Sequence, residues 1–309
     1  MSETRTPVYA ELGYAFAPIG AILFSTKSVA ICLVYAEPVD AATLLALRMA
    51  LALPIYLLIG GLAVVERRTS GKPLPSLKVT VQALLVGVLG YWFASYTDFI
   101  GLQYISAQFE RLILFTYPLF VVIFGALFFS QPMRLRALAA ILVSYAGLAL
   151  IFVEKVENGG ANAVIGAGFV ICSALAFAFY QLLAKPVIAA MGPRLFTCVA
   201  MSGAAAGAFV TFFAGHRVAD LAVSQRVVWL SVFLAIGATV LPSFFLNAAL
   251  HRISAQANAA IGTVSPVVTI VLAAIFLGEV LQPAGIAGAV LVLAGVAWFT
   301  LADRSGRGR

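Results

Sequence analysis

Long apolar stretches follow one another along almost the whole chain and are separated only by short polar connectors. About 20 apolar residues in a helix cross the hydrocarbon core of a bilayer. Ten stretches of suitable length are present, and they are centred in residues 12–34, 41–65, 79–96, 107–129, 135–153, 163–184, 196–214, 227–250, 257–277 and 284–301. A chain built in this way is predicted to cross a membrane ten times.

The composition excludes an ordinary soluble protein, because 63% of the residues are hydrophobic and only 10% are charged. Soluble domains are about 45–50% apolar and about 25% charged. The apolar runs are continuous and do not alternate with polar residues as the strands of a membrane barrel do. Each span must therefore satisfy its own backbone groups as a helix, which predicts an all-α polytopic membrane protein.

The net charge of +7 would suit nucleic acid, but the basic residues follow the membrane instead. Most of them fall in alternate connectors, such as Arg67, Arg68, Lys72 and Arg134. Cytoplasmic loops of membrane proteins carry such an excess of lysine and arginine. Both termini are therefore predicted to be cytoplasmic, and no nucleic acid partner is expected.

One segment occurs twice, since ISAQFERLILFTYP from Ile105 returns 148 positions later as ISAQANAAIGTVSP from Ile253. The alignment divides the chain into two five-helix repeats, residues 1–157 and 158–309. Because each repeat has an odd number of spans, the second copy enters the membrane inverted relative to the first. Inverted repeats are typical of secondary transporters that bind substrate near the middle of the bilayer.

These features resemble the drug/metabolite transporter superfamily, in particular its EamA-type ten-helix permeases. The resemblance rests on the paired repeats, on the ISAQ…P segments that open the fourth and ninth helices, and on the ending Leu277-Gly278-Glu279. It implies export of small metabolites, such as amino acids, through a cavity between helices one to four and six to nine. The chain departs from the family where Gln131 replaces the glutamate of the first repeat and where Glu110-Arg111 occupy positions that are usually small and apolar.

The predicted function is therefore alternating-access transport of a small polar or zwitterionic metabolite across the bacterial inner membrane, with export as the expected direction. A channel or a lipid flippase built on the same bundle is the alternative. No enzyme activity and no cofactor or metal are expected, since neither a nucleophile with its base nor a metal-ligand motif is present. The expected partners are the solute and the lipid bilayer, and the chain acts as a monomer or homodimer.

Polar residues that interrupt apolar helices mark the candidate site, because such residues are costly in a membrane unless they face a cavity or a partner. A stripe at four-residue spacing in the eighth helix includes Ser243 and Asn247, and a second stripe in the ninth includes Asn258 and Ser265. We interpret both stripes as the wall of a water-filled path, with tight helix packing as the alternative. The predicted substrate-binding residues are Lys27, Tyr91, Ser95, Glu110, Arg111, Tyr117, Tyr180, Ser243, Asn247, Asn258 and Ser265. Arg48, Asp98, Pro118 and Pro266 are predicted to form ion pairs or gates.

Five charged residues, Lys27, Arg48, Asp98, Glu110 and Arg111, are predicted to lie in the outer half of the membrane. One hypothesis is that part of this set recognises a carboxylate- or zwitterion-bearing solute, with Tyr91 and Tyr117 as walls of the site. The other is an internal network of ion pairs, such as Lys27 with Glu110, that only gates or holds the helices. Glu110 or Asp98 is also a candidate carrier of a coupling proton.

Overall fold

The computed structural model describes residues 7–130, 135–262 and 264–280, with scattered positions from 283 to 298. All regular structure in these ranges is helical. The α-helices are α1 (Pro7–Val34), α2 (Ala41–Thr69), α3 (Leu77–Gly87), α4 (Ala94–Gly101), α5 (Ala107–Leu114), α6 (Tyr117–Phe129), α7 (Leu135–Met191), α8 (Pro193–Gly215), α9 (Gln225–Ala235), α10 (Leu241–Arg252), α11 (Ala255–Ile261) and α12 (Val264–Leu277).

Eight helical segments of the described chain are long and apolar enough to cross a membrane. They are Glu11–Val34, Ala41–Thr69, Leu77–Gly101, Ala107–Phe129, Gly160–Met191, Pro193–Gly215, Gln225–Arg252 and Ala255–Leu277. These segments coincide with eight of the ten predicted spans. The fifth predicted span falls in the part of α7 that precedes Gly160, where the backbone leaves helical geometry with φ 57° and ψ −142°. The tenth lies largely outside the described residues.

Two spans are interrupted by a wide turn of π-helix, at Val88–Phe93 between α3 and α4 and at Ile236–Val240 between α9 and α10. Val88 and Ile236 are 148 positions apart, which is the spacing of the sequence repeat. Such turns contain one extra residue and are frequent at functional sites. The two halves therefore share an irregular feature that the sequence comparison did not reveal.

Two spans are broken beside a proline. The fourth span divides into α5 and α6 just before Pro118, and the ninth divides into α11 and α12 just before Pro266. Proline has no backbone N–H, so it cannot donate a hydrogen bond to the carbonyl four residues earlier in the helix. In the ninth span that carbonyl belongs to Gly262, and it accepts a hydrogen bond from the Ser265 amide at 2.9 Å instead.

The helices of the two halves interleave, since α1 packs along α10 and α12 while α2 packs along α8. Close backbone approach occurs where α3 crosses α8. A Cβ added at Gly87 would lie 1.9 Å from the Ala200 carbonyl oxygen, so no larger residue fits there. Small residues at helix crossings are a common means of association in membranes. This packing holds the two halves together around a central space.

Polar contacts between helices lie at each end of the bundle. At one end, His216 Nε2 lies 2.7 Å from Asp40 Oδ2, and the Ser224 hydroxyl lies 2.5 Å from Glu37 Oε2. We call this end the Glu37 face; it is the face predicted to be outside. At the other end, the Glu66 face, Arg194 Nη1 lies 2.8 Å from Glu66 Oε2. The Glu66 face carries the connectors that are predicted to be cytoplasmic.

Candidate functional site

A cavity lies in the middle of the bundle, and its wall is formed by α1, α2, α5, α7, α10 and α11 together with the two π-helical turns and their neighbours. The space open to the centres of water molecules is about 50 Å³, and one water needs about 10–15 Å³ on that measure. This conformation therefore leaves room for a few waters. A larger solute requires the walls to move apart.

Most of the predicted binding residues line this cavity. They come from both halves of the chain, as the prediction requires. The residues are Lys27, Tyr91, Ser95, Tyr117, Tyr180, Ser243, Asn247, Asn258 and Ser265. Ser95 and Ser243 are separated by the repeat spacing of 148 positions, so the wall itself repeats. The interpretation of the stripes in the eighth and ninth helices as cavity wall agrees with this placement.

The side-chain amide of Asn247 joins four helical segments in a neutral network. Its nitrogen donates to the Tyr91 hydroxyl at 2.9 Å and to the Thr197 hydroxyl at 3.0 Å. Its oxygen accepts from the Tyr180 hydroxyl at 2.5 Å, and the two tyrosine hydroxyls lie 2.8 Å apart. Every polar atom of this amide thus has a partner, which is what a buried polar group requires. We call Tyr91, Tyr180, Thr197 and Asn247 the amide network.

The backbone makes room for the amide network at Gly90, in the first π-helical turn. A Cβ added at Gly90 would lie 2.2 Å from the ring of Tyr180. The Tyr180 ring instead packs against the turn, 4.9 Å from the Tyr91 ring between centroids. Glycine at this position therefore allows the tyrosine pair to meet at the cavity.

A second neutral group lies beside Asn258. Its side-chain nitrogen donates to Gln181 Oε1 at 3.1 Å, but its side-chain oxygen is buried and has no hydrogen-bond partner. The Tyr117 hydroxyl donates to the Ala259 carbonyl at 3.3 Å. Tyr117 thus connects the fourth span to the ninth close to the two helix breaks.

The charged residues form a compact buried cluster toward the Glu37 face. Lys27 Nζ lies 2.6 Å from Asp98 Oδ2, and the side chains of both residues are almost fully buried. Lys27 also lies over the ring of Phe24, 4.6 Å from its centroid. Asp98 supplies the counter-charge, so the example of Lys27 pairing with Glu110 was wrong in detail, although a network of ion pairs is present.

Glu110 and Arg111 complete this cluster, but the structure does not place them on the cavity wall. Arg111 Nε lies 3.7 Å from Glu110 Oε2, and its guanidinium donates to the Ser28 hydroxyl. Both residues lie about one helical turn closer to the Glu37 face than Leu114, the first residue of α5 that lines the cavity. Their contact with substrate remains a prediction, and in this conformation neither residue lines the cavity. We call Lys27, Asp98, Glu110 and Arg111 the charged cluster.

Arg48 was predicted as an ion-pair or gating residue, and it forms no ion pair with any described residue. Its side chain lines the cavity and is buried, with 2% of its surface exposed. The guanidinium lies over the ring of Phe99, 4.8 Å from the centroid. Its Nε and Nη2 atoms have no hydrogen-bond partner.

Comparison with known proteins agrees with this architecture. The sequence profile of the EamA-like transporter family matches residues 11–153 and again residues 164–301. The chain belongs to the EamA-like transporter family. It is therefore a multi-pass membrane transporter, as the resemblance to the drug/metabolite transporters implied.

Two relatives of this EamA-like protein come from Bacillus subtilis (strain 168). The uncharacterized transporter YcbK is 31% identical over 305 residues, which are 93% of this chain and 93% of the relative. The uncharacterized transporter YcxC is 27% identical over 227 residues, 69% of this chain and 70% of the relative. A solved crystal structure with 17% identity covers 96% of this chain and 99% of its own, with a TM-score of 0.68. That last likeness concerns the fold alone.

The leucine-glycine-glutamate ending that resembles the EamA pattern has a clear structural role. Glu279 accepts hydrogen bonds from the backbone amides of Ala107 at 3.0 Å and Gln108 at 3.1 Å. These are the free amides of the first turn of α5, where a negative charge is favourable. The end of the ninth span is thereby fastened to the start of the fourth at the Glu37 face. Gln131, the corresponding residue of the first repeat, lies outside the described residues.

Several wall residues of this EamA-like transporter were not predicted from the sequence. They are Phe24, Phe115, Ser173, Phe177 and Gln181. Gln181 carried a signal, because it is a polar residue within an apolar run, and Thr239, also at the wall, belongs to the predicted polar stripe of the eighth helix. The phenylalanines carried none, since the same residues are equally common on lipid-facing surfaces.

Proposed function

We propose that this EamA-like protein is a secondary transporter that exports a small polar or zwitterionic metabolite across the inner membrane by alternating access. The observation that carries the proposal is the central cavity, because polar and charged side chains from both halves converge on it. A polar cavity in a membrane bundle marks the path of a solute. Substrate enters this cavity from one face and leaves from the other.

The two opposed conformations follow from the repeat. The breaks before Pro118 and Pro266 and the two π-helical turns recur at the repeat spacing, which supports the division into two inverted halves. In such a pair, each half adopts in one state the arrangement that its copy adopts in the other. The broken helices are the elements that bend, because their backbone ladder is already interrupted there.

The Glu37 face is proposed to be the closed gate of this conformation. Glu279 fastens the ninth span to α5 there, and Gln108 Nε2 adds a hydrogen bond to the Glu279 carbonyl at 3.1 Å. Opening toward the Glu37 face requires these bonds to break. Glu279 is thus a latch between the halves.

Replacing Glu279 with glutamine tests the latch, because the substitution keeps the shape and removes the charge that favours the helix N-terminus. A loss of about 1 kcal/mol, the scale of a helix-end charge, shifts a two-state gate about fivefold. We expect faster labelling of Ser95→Cys by a membrane-impermeant maleimide from the Glu37 face, measured with Cys32, Cys172 and Cys198 replaced by alanine. The matched control is Glu66→Gln, at the opposite face. If Ser95→Cys were labelled at the same rate in the Glu279→Gln protein and in the protein that keeps Glu279, the proposed role of Glu279 as a latch would be contradicted.

The function itself is tested by counterflow in liposomes that contain purified protein. A carrier loaded with unlabelled solute accumulates the labelled solute transiently, whereas a channel only equilibrates it. We expect transient accumulation for at least one amino acid or related small metabolite. Ionic conductance without counterflow would identify a channel, and transfer of fluorescent lipids between leaflets would identify a flippase.

A further inference from the structure

Three residues of the cavity wall have buried polar atoms without a hydrogen-bond partner. They are Arg48 at Nε and Nη2, Thr239 at Oγ1 and Asn258 at the side-chain oxygen. Other polar wall residues have partners: Asn247 is fully bonded, and the Ser265 hydroxyl accepts from the Ser25 hydroxyl of α1 at 2.7 Å. The unsatisfied atoms are thus a small subset of the wall.

Arg48 is the most costly member of this subset. A buried cation without a partner is strongly unfavourable in an apolar medium, so such a charge is normally paired. Lys27, the other cation of the wall, has Asp98 at 2.6 Å. Arg48 lies over the face of Phe99, which stabilises a cation weakly by comparison with a carboxylate. Asp98 is close enough to attract its charge, but that carboxylate is bonded to Lys27, and Arg48 forms no ion pair with any described residue.

We propose that Arg48 binds the carboxylate of the transported solute. The inference rests on the proposed transport function and adds the chemical class of the cargo, an organic carboxylate. A guanidinium recognises a carboxylate through two parallel N–H···O bonds, and the two atoms that lack partners provide those donors. The Asn258 oxygen accepts an N–H or O–H donor elsewhere on the same molecule, and the Thr239 hydroxyl adds a further polar contact.

The rest of the wall favours an apolar body between these polar groups. The rings of Phe24, Tyr117 and Phe177 line the cavity and pack on one another, with Tyr117 and Phe177 at 5.0 Å and Phe24 and Phe177 at 6.2 Å between centroids. Small-molecule sites are commonly built in this way, with an apolar wall and a few polar groups that fix orientation. The proposed cargo therefore combines a carboxylate with a hydrophobic side group.

Thermal unfolding of purified protein with matched probes tests the assignment. The probes are 3-phenylpropanoate, phenylalanine and phenethylamine, which share one ring and differ in their charged groups. A ligand that binds only the folded state raises the melting temperature. We expect the two carboxylates to raise it for the native protein and phenethylamine to leave it unchanged. Protection by phenethylamine alone, or by none of the carboxylates, would overturn the proposal.

The decisive variant is Arg48→Gln. It should unfold at a temperature no lower than the native protein without ligand, because it removes an uncompensated buried charge. It should also bind 3-phenylpropanoate at least about tenfold more weakly, the scale of one lost charged hydrogen bond. Arg48→Lys should recover part of the protection, and Arg194→Gln, which removes an exposed cation of the Glu66 face, should retain all of it.

An Arg48→Gln protein that is destabilised without ligand, or that is protected as well as the native protein, would show that Arg48 has a structural role only. Counterflow of labelled 3-phenylpropanoate separates this result from a failure of the proposed function. Equal counterflow in the native and Arg48→Gln proteins would support the transport function and contradict the role of Arg48 in binding. Arg48-dependent binding without counterflow would support the carboxylate site and contradict the carrier function.

Discussion

The charged cluster and the amide network are two buried polar regions of the same bundle, and they solve the problem of burial differently. In the charged cluster, Lys27 and Asp98 form a close ion pair, and Arg111 lies beside Glu110 at a longer distance. In the amide network, the Asn247 side chain binds three hydroxyl groups through neutral hydrogen bonds. The two regions lie toward opposite faces of the cavity.

The difference lies in what each region loses when one member is removed. A buried ion that loses its partner retains a desolvated charge, whereas a hydroxyl that loses its partner retains only an unsatisfied dipole. The charged cluster is therefore sensitive to single changes but tolerant of paired ones. The amide network is less sensitive to a single substitution, and the loss of unfolding free energy grows with the number of hydrogen bonds lost.

The largest expected effect comes from Lys27→Met, which leaves Asp98 without its counter-charge. Breaking a buried pair on one side costs about 3–5 kcal/mol of unfolding free energy. The double variant Lys27→Met/Asp98→Asn removes both charges and should return to within about 1 kcal/mol of the native protein, because paired replacement is often neutral. Reversible unfolding in detergent measures both values. If the single variant were as stable as the double, the pair would not be a structural unit.

A smaller loss is expected for Asn247→Leu, which keeps a similar volume and leaves three hydroxyl groups without their amide. Buried polar groups without partners cost about 1–3 kcal/mol, so the melting temperature should fall by less than for Lys27→Met. Thr197→Val removes a single bond of the same network and serves as the control, with a loss of about 1 kcal/mol. A Thr197 variant that loses as much as the Asn247 variant would contradict the central role of the amide.

The smallest effect is expected for the paired change Glu110→Gln/Arg111→Met. These residues are buried but do not line the cavity, and replacing both charges leaves no unpaired ion. We expect unfolding within about 1 kcal/mol of the native protein and an unchanged apparent KM in counterflow. Arg111→Met alone provides the contrast, since it leaves Glu110 charged. A large rise in KM for the double variant would restore the predicted contact of these residues with substrate.

The fold was largely predictable, because the signals that determine it are local. A run of apolar residues specifies a span without reference to any other part of the chain. A proline within an apolar run favours a break in the helix, and the helices do break beside Pro118 and Pro266. The repeated segment further predicted that the chain has two corresponding halves. Each of these inferences uses residues that are adjacent in sequence.

The candidate site was predictable residue by residue but not as a set of contacts. Tyr91, Tyr180 and Asn247 were each expected at the wall, yet nothing in the sequence indicates that one amide joins them. Which acid faces Lys27 depends on the rotation and height of separate helices, so Asp98 and Glu110 could not be distinguished. The absence of a partner for Arg48 among the described residues is likewise visible only after packing.

The wide turns at Val88–Phe93 and Ile236–Val240 have a further consequence for how this wall tolerates insertions and deletions. Each residue advances an α-helix by about 100°, and a π-helical turn holds one residue more than an α-helical turn. Deleting one residue from either turn would therefore close it to a regular α-helical turn, and the rest of the span, with Ser95 or Ser243, would keep its orientation toward the cavity. These two turns are thus the places where a one-residue deletion would disturb the orientation of the polar wall least.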